Sequence, residues 1–158
     1  MRGRGLLVTA LALIVIGVVG LILLGTGALP INRVANTPTA RGEWIFRTGT
    51  DPTTGQPIPY GGGMMMGMSC ANCHGVDAHG LRTPMFISPN ITYRNLTDPR
   101  GMREPDGRRD GTYTNATLKR AITQGLDPEG KPLDWPMPRW QMTNQELDDL
   151  LAYLKTLP

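Results

Sequence analysis

The chain has only two cysteines, and both lie in one pentapeptide that ends in a histidine, Cys70-Ala71-Asn72-Cys73-His74. Two intervening residues allow one short helical turn to present both sulfurs on the same side, with the imidazole next to them. Three side chains with a strong affinity for metals or reactive carbon are therefore held together by local sequence. The fold and function of the domain therefore depend on which ligand or bond these three side chains form.

Three common uses of such a cysteine pair fit the sequence poorly. A redox pair of the thioredoxin type is expected near a βαβ pattern, and residues 60–90 contain no buried strand followed by a helix. A zinc site needs four ligands, and the candidates, the motif itself and His79, lie in one short stretch without the usual separation of ligand pairs. A disulfide between Cys70 and Cys73 would close a loop too short to contribute much stability.

The motif instead favours covalent attachment of one haem c. The thiols of Cys70 and Cys73 would form thioethers with the two vinyl groups of one porphyrin. His74 would then donate a ring nitrogen to the iron as the proximal ligand.

An uncharged apolar run from Gly5 to Leu29 follows the basic start Met1-Arg2-Gly3-Arg4. A cleavable signal peptide starts similarly, but its apolar core has only about 7–15 residues. This run continues from Leu6 through Leu24 and ends without a persuasive cleavage site. We therefore predict that residues 1–29 form a cytoplasmic N-terminus and a single transmembrane helix in the cell membrane. The basic start places the remainder on the periplasmic or extracellular side.

Charge excludes one class of partner. The formal net charge is +3, and two of the positive charges are Arg2 and Arg4. The rest of the chain has 14 basic and 13 acidic residues, so nucleic acid is not an expected partner.

The remaining chain divides into a linker at residues 30–41 and a domain at residues 42–158. The linker is polar and contains two prolines. Residues 49–63 are rich in glycine and proline, which favours turns over any regular element, and an irregular stretch extends from the cysteine motif to about Gly111. So much irregular chain is compatible with a compact domain if loops wrap a large apolar cofactor.

Helix signals occur at both ends of the domain. Residues 42–46 favour a short helix. Thr114 or Asn115 can cap a helix that ends at Gly125. A capping box, Thr143-Asn144-Gln145-Glu146, precedes a stripe of leucines that predicts the last helix.

Four segments in this order are similar to the motifs of class I c-type cytochromes, over about residues 41–157: Gly42-Glu43-Trp44-Ile45-Phe46, Cys70-Ala71-Asn72-Cys73-His74-Gly75, Met137-Pro138 and Leu150-Leu151-Ala152-Tyr153-Leu154. The resemblance implies a mostly α fold, a small helical domain wrapped around one covalent haem. It also implies that the first and last helices of the domain cross at Gly42, Phe46 and Tyr153.

The resemblance further implies a methionine as the second axial ligand. Met137 is the predicted ligand because it lies between Pro136 and Pro138, just ahead of the last helix, where the family places it. Met142 is the second candidate. His79 is a weaker one, since it is close to His74 in sequence.

The sequence departs from the family in an insertion between Phe46 and Cys70, which contains Met64-Met65-Met66-Gly67-Met68. Packing of these methionines on the haem edge or on a partner protein is favoured over a copper site, because no His or Cys is left to complete such a site. Three further segments resemble haem domains that are subunits of membrane dehydrogenases and respiratory complexes: Pro89-Asn90-Ile91-Thr92, Leu118 to Gly125, and Met137-Pro138-Arg139-Trp140. The mono-haem subunit of alternative complex III is similar in overall plan only.

The predicted function is one-electron transfer, because an iron ligated by His74 and Met137 has no open position for a substrate. Redox proteins, including a membrane electron-transport complex, are the expected partners, and no small-molecule substrate is expected. Trp140 and Arg139 are candidates to flank an exposed haem edge. The alternatives are a haem enzyme or a gas- or peroxide-responsive domain with a displaceable Met137, and a scaffold that the haem merely stabilises.

Overall fold

The computed structural model describes residues 2–25, 36–64 and 69–158, with side chains described from residue 10 to 22 in the first range and throughout the other two. Parts of three predicted features lie outside these ranges: residues 26–29 of the anchor, 30–35 of the linker, and 65–68 of the methionine run. The chain forms two compact units, Met1–Arg33 and Val34–Pro158, which are considered separately below.

The first unit contains helix α1, Arg2–Gly25. Several large apolar side chains of α1 are exposed, namely Leu11, Leu13, Ile14, Val15, Ile16, Val18, Val19, Leu21 and Ile22. Among the helices of the described residues, none has both the length and the apolar composition that crossing a membrane requires.

The second unit begins with helix α2, Pro38–Thr48. The side chain of Thr37 caps this helix by accepting a hydrogen bond from the Ala40 amide at 3.2 Å, and Pro38 occupies its first turn, where a missing N–H costs nothing. The helix is terminated by Gly49, which adopts the left-handed backbone conformation. Its amide donates a hydrogen bond to the Ile45 carbonyl. The prediction of a short helix at residues 42–46 was therefore too narrow, and residues 38–41 of the predicted linker are helical.

The two helices predicted after residue 113 are confirmed. Helix α5, Asn115–Gln124, is capped by Thr114 and ends at Gly125 in the left-handed conformation. Helix α6, Asn144–Leu154, begins with the predicted capping box between Thr143 and Glu146.

Shorter elements lie between them. Helix α3 is Cys70–His74 and helix α4 is Tyr93–Leu96. Strand β1, Tyr60–Gly61, pairs antiparallel with strand β2, Arg139–Trp140. The expectation that residues 49–63 lack regular structure was wrong at β1, because the strand exists through a partner far along the chain and has no local signal of its own.

Helices α2 and α6 cross at Gly42, as the family resemblance implied. A Cβ atom at Gly42 would overlap the Asp149 carbonyl and lie 2.9 Å from the Cβ of Tyr153, so only glycine permits this approach. The rings of Phe46 and Tyr153 pack beside it with centroids 5.4 Å apart. The buried carboxylate of Asp149 accepts two hydrogen bonds from Arg41, at 2.6 and 2.8 Å, which tie the two helices together.

Candidate functional site

Helix α3 holds three of the four predicted site residues on one turn. Ser69, which is buried, caps this helix by accepting from the Asn72 amide at 3.3 Å. Cys70 and Cys73 are three positions apart and Cys70 and His74 are four apart, so all three side chains emerge from the same helix face. The local sequence therefore places both thiols and the imidazole where they can bind the same ligand.

The orientation of His74 is fixed by a loop that follows the motif. Its Nδ1 lies 3.1 Å from the carbonyl oxygen of Pro89, and the side chain is buried. With the Nδ1 proton donated to that carbonyl, the lone pair of Nε2 is left for a metal. Burial lowers the pKa of His74, while the hydrogen bond to Pro89 acts in the opposite direction. The ring is therefore neutral at neutral pH, which is the ligating form.

Tight turns bring Pro89 to this position. The Gly80 amide donates to the His74 carbonyl at 2.8 Å, and the Ile91 amide donates to the Ala78 carbonyl at 2.8 Å. A Cβ atom at Gly80, where φ is +85°, would overlap the backbone of Ser88 and Pro89. The backbone at Gly80 therefore packs closely against Ser88 and Pro89, and this packing places the Pro89 carbonyl beside His74.

Cys70 and Cys73 form no disulfide with each other. Burial raises the pKa of Cys70 to about 12 and also raises the pKa of Cys73. Redox-active cysteines have a lowered pKa because the thiolate is the reactive species, so this environment does not match a thioredoxin-like pair. Among the described residues, no three His, Cys, Asp or Glu side chains are grouped so as to hold a metal ion.

Met137 lies on a different element, the segment of residues 133–138, which we call the Met137 loop. The half-buried Met137 donates its amide to the Asp134 carbonyl at 3.2 Å. Pro138 is buried, and its Cα would lie 2.8 Å from a Cβ atom at Gly63. The Met64 amide donates to the Pro136 carbonyl at 3.2 Å, so the insertion before α3 supports the Met137 loop.

One core cluster has members next to the cysteine motif and next to the Met137 loop. Trp140, three positions after Met137, belongs to the same cluster of buried residues as Phe46 and Tyr153, and both Cys70 and Ala71 pack against it. Trp140 is only 2% exposed, and its ring lies 4.9 Å from that of Tyr60. The expectation that Trp140 flanks an exposed haem edge was therefore wrong, since β1 covers it.

The two weaker ligand candidates have other contacts. Met142 is partly buried against the same core cluster. His79 is exposed, and its Nδ1 lies 3.0 Å from the Asp77 carbonyl. It lines an open cleft of about 420 Å³ among arginines of the α4 region, and none of Cys70, Cys73, His74 and Met137 contributes to that cleft.

Two contacts of the site were not anticipated from the sequence. The Pro89 carbonyl as the partner of His74 is one, and the Arg139 guanidinium, which donates to carbonyls of the Met137 loop, is the other. The segment Pro89-Asn90-Ile91-Thr92 resembles part of other haem domains, but a hydrogen bond to a backbone carbonyl leaves no side-chain pattern in the sequence.

The fold and site define a small, mostly helical domain with one cysteine pair and a neutral, oriented histidine. Residues 60–158 match cytochrome c, and the chain belongs to this family. No curated protein and no solved structure matches the chain. Members of the family bind haem covalently, and the Cys70–Cys73 pair with His74 fits one haem, so the predicted haem c cofactor is confirmed. Family membership also supports haem-based electron transfer in general and is consistent with a carrier.

Proposed function

We propose that the domain carries single electrons on one haem that is bound through Cys70 and Cys73, with His74 and Met137 as axial ligands. The observation that carries the proposal is the hydrogen bond between His74 Nδ1 and the Pro89 carbonyl, at 3.1 Å. It directs Nε2 away from the loop and holds the ring in one tautomer, as metal-bound histidines require.

The haem supplies the one-electron Fe(III)/Fe(II) couple, and the residues of the chain determine how it is used. A neutral His74 on one side and a soft thioether of Met137 on the other would leave no position for a substrate. The thioether also favours the reduced state and raises the potential. Buried Pro138 and the bracing contact from Met64 support a fixed Met137 backbone.

We also propose that residues 1–29 tether the domain to the external face of the cell membrane, where it exchanges electrons with proteins of a respiratory or photosynthetic chain, as a subunit or a tethered carrier. The uncharged run Gly5–Leu29 and the exposed apolar side chains of α1 support this proposal. No residue from Gly5 to Leu29 is charged, and a segment without charged side chains favours a nonpolar environment.

The axial pair is tested by replacing each candidate methionine in the full-length holoprotein. We expect Met137→Ala to keep its covalent haem, to lose the sulfur-to-iron charge-transfer band of the oxidised protein, and to have a lower reduction potential. Met142→Ala is the matched control and should keep the band. Loss of the band in Met142→Ala alone would move the ligand to Met142. A high-spin spectrum in the unmodified protein would favour the haem enzyme or gas-responsive alternative.

A further inference from the structure

The side chain of Arg139 is directed into the Met137 loop. Its Nη2 donates to the carbonyl of Leu133 at 2.9 Å, and its Nη1 donates to the carbonyl of Met137. One planar cation therefore joins the start of the loop to the residue that carries the thioether. Hydrogen bonds from a charged donor are stronger than those between neutral groups.

The guanidinium is held in turn against the end of α5. Gly125 has φ +66°, and a Cβ atom there would overlap the Arg139 guanidinium, so the glycine makes room for it. The Gly125 carbonyl accepts from the Leu133 amide at 2.7 Å. A cation is also favoured at this place because the C-terminus of a helix carries partial negative charge.

The backbone of Arg139 is fixed from the other side by the sheet. Arg139 pairs with Gly61, and Trp140 pairs with Tyr60, in the β1–β2 ladder. The Met137 loop thus lies between strand β2 and the end of helix α5. Arg139 belongs to β2, and its guanidinium contacts the end of α5.

We propose that Arg139 is a positioning residue for the sixth ligand, and that its clamp on the Leu133 and Met137 carbonyls sets how readily the Met137 thioether is displaced from the iron. This inference rests on the proposed ligation by Met137. Without the clamp, the loop would lose one hydrogen bond at the Leu133 carbonyl and one at the Met137 carbonyl. An external ligand would then compete more successfully for the same position.

The test is titration of the oxidised holoprotein with imidazole, followed through loss of the charge-transfer band. We expect Arg139→Gln to bind imidazole at least about tenfold more tightly, which corresponds to about 1.4 kcal/mol. Arg139→Lys keeps the charge and should fall between this variant and the unmodified protein. Arg120→Gln is the matched control, because Arg120 donates to the carbonyls of Asp127 and Pro128 and lies outside the Met137 loop.

A second variant keeps Arg139 but fills the space that its guanidinium occupies beside Gly125. Gly125→Ala should also bind imidazole more tightly, whereas Gly130→Ala should not, since Gly130 has φ +85° but no neighbour within 4 Å of its Cβ position. This pair decides the question if Arg139→Gln yields no holoprotein. Affinities equal to those of the control variants would overturn the proposal. A band that persists in Met137→Ala would instead overturn the ligation on which it rests.

Discussion

At the scale of single residues, Glu104 links folding to pH. Burial, and then the nearby carboxylates of Asp110 and Asp106, raise its pKa from 4.5 to about 7, while Arg108 acts against them. The folded protein therefore binds this proton more tightly than the unfolded chain does. The resulting stability is fully present below about pH 4.5 and is lost as the pH rises through about 7.

Glu104→Gln should accordingly raise the thermal midpoint of the holoprotein at pH 8 and leave it almost unchanged at pH 4. The reason is that a neutral amide removes the repulsion that ionised Glu104 experiences from Asp110. Thermal unfolding followed by circular dichroism at both pH values measures this. Glu43→Gln, which alters an exposed pair with Arg47, serves as the control. An equal effect of Glu104→Gln at both pH values would contradict the assignment.

The cysteine pair gives a second prediction at this scale. Changing both Cys70 and Cys73 to Ala removes the only thiols of the chain, so no thioether can form. We expect complete loss of haem staining on denaturing gels. Met137→Ala should keep the stain, because its haem stays covalently attached. Retained stain in the double variant would place the attachment elsewhere.

At the scale of elements, the crossing of α2 and α6 predicts that replacing Gly42 by alanine lowers the stability of the protein, whereas Gly→Ala in a helix usually raises it. In a helix interior, Gly→Ala is ordinarily stabilising by about 1 kcal/mol. At Gly42 the added methyl group would overlap the Asp149 carbonyl, so we expect a net loss of about 1–3 kcal/mol instead. Denaturant unfolding of the holoprotein measures the difference. Gly61→Ala, where nothing lies within 4 Å of the Cβ position, should be close to neutral.

The elements also separate what the sequence specifies locally from what it does not. Helices α5 and α6 were predictable because Thr114 and Thr143 cap them through residues three positions away. The start of α2 was missed because Thr37-Pro38 is compatible both with a linker and with a capped first turn.

The site divides in the same way. Cys70, Cys73 and His74 were predictable as a group because they share one turn, whereas the partner of His74 is a carbonyl 15 residues away. The Arg139 guanidinium fits against Gly125 only because glycine has no Cβ atom. No periodic pattern in the sequence predicts that contact. Sequence patterns therefore identified the cysteine pair and His74, which fit one haem, but not the Pro89 carbonyl that orients His74.

At the scale of the whole molecule, the question is what the N-terminal unit contributes to a domain whose redox chemistry lies in residues 42–158. Residues 30–37 can reach at most about 30 Å even if fully extended. If residues 1–29 are fixed in a membrane, the haem stays close to its surface, and the effective concentration at a membrane partner is high without tight binding.

Replacing residues 1–30 by a cleavable signal peptide tests this division. We expect a soluble protein with an unchanged haem spectrum and reduction potential, because every contact described for the haem site lies within residues 42–158. We also expect much lower electron flux in intact membranes, since the proposed tether to the membrane would be absent. Absorbance spectra, redox titration and oxygen consumption measure these properties separately. Full flux with the soluble form, or a native protein whose N-terminus has already been removed, would reject the tether and leave the haem assignment intact.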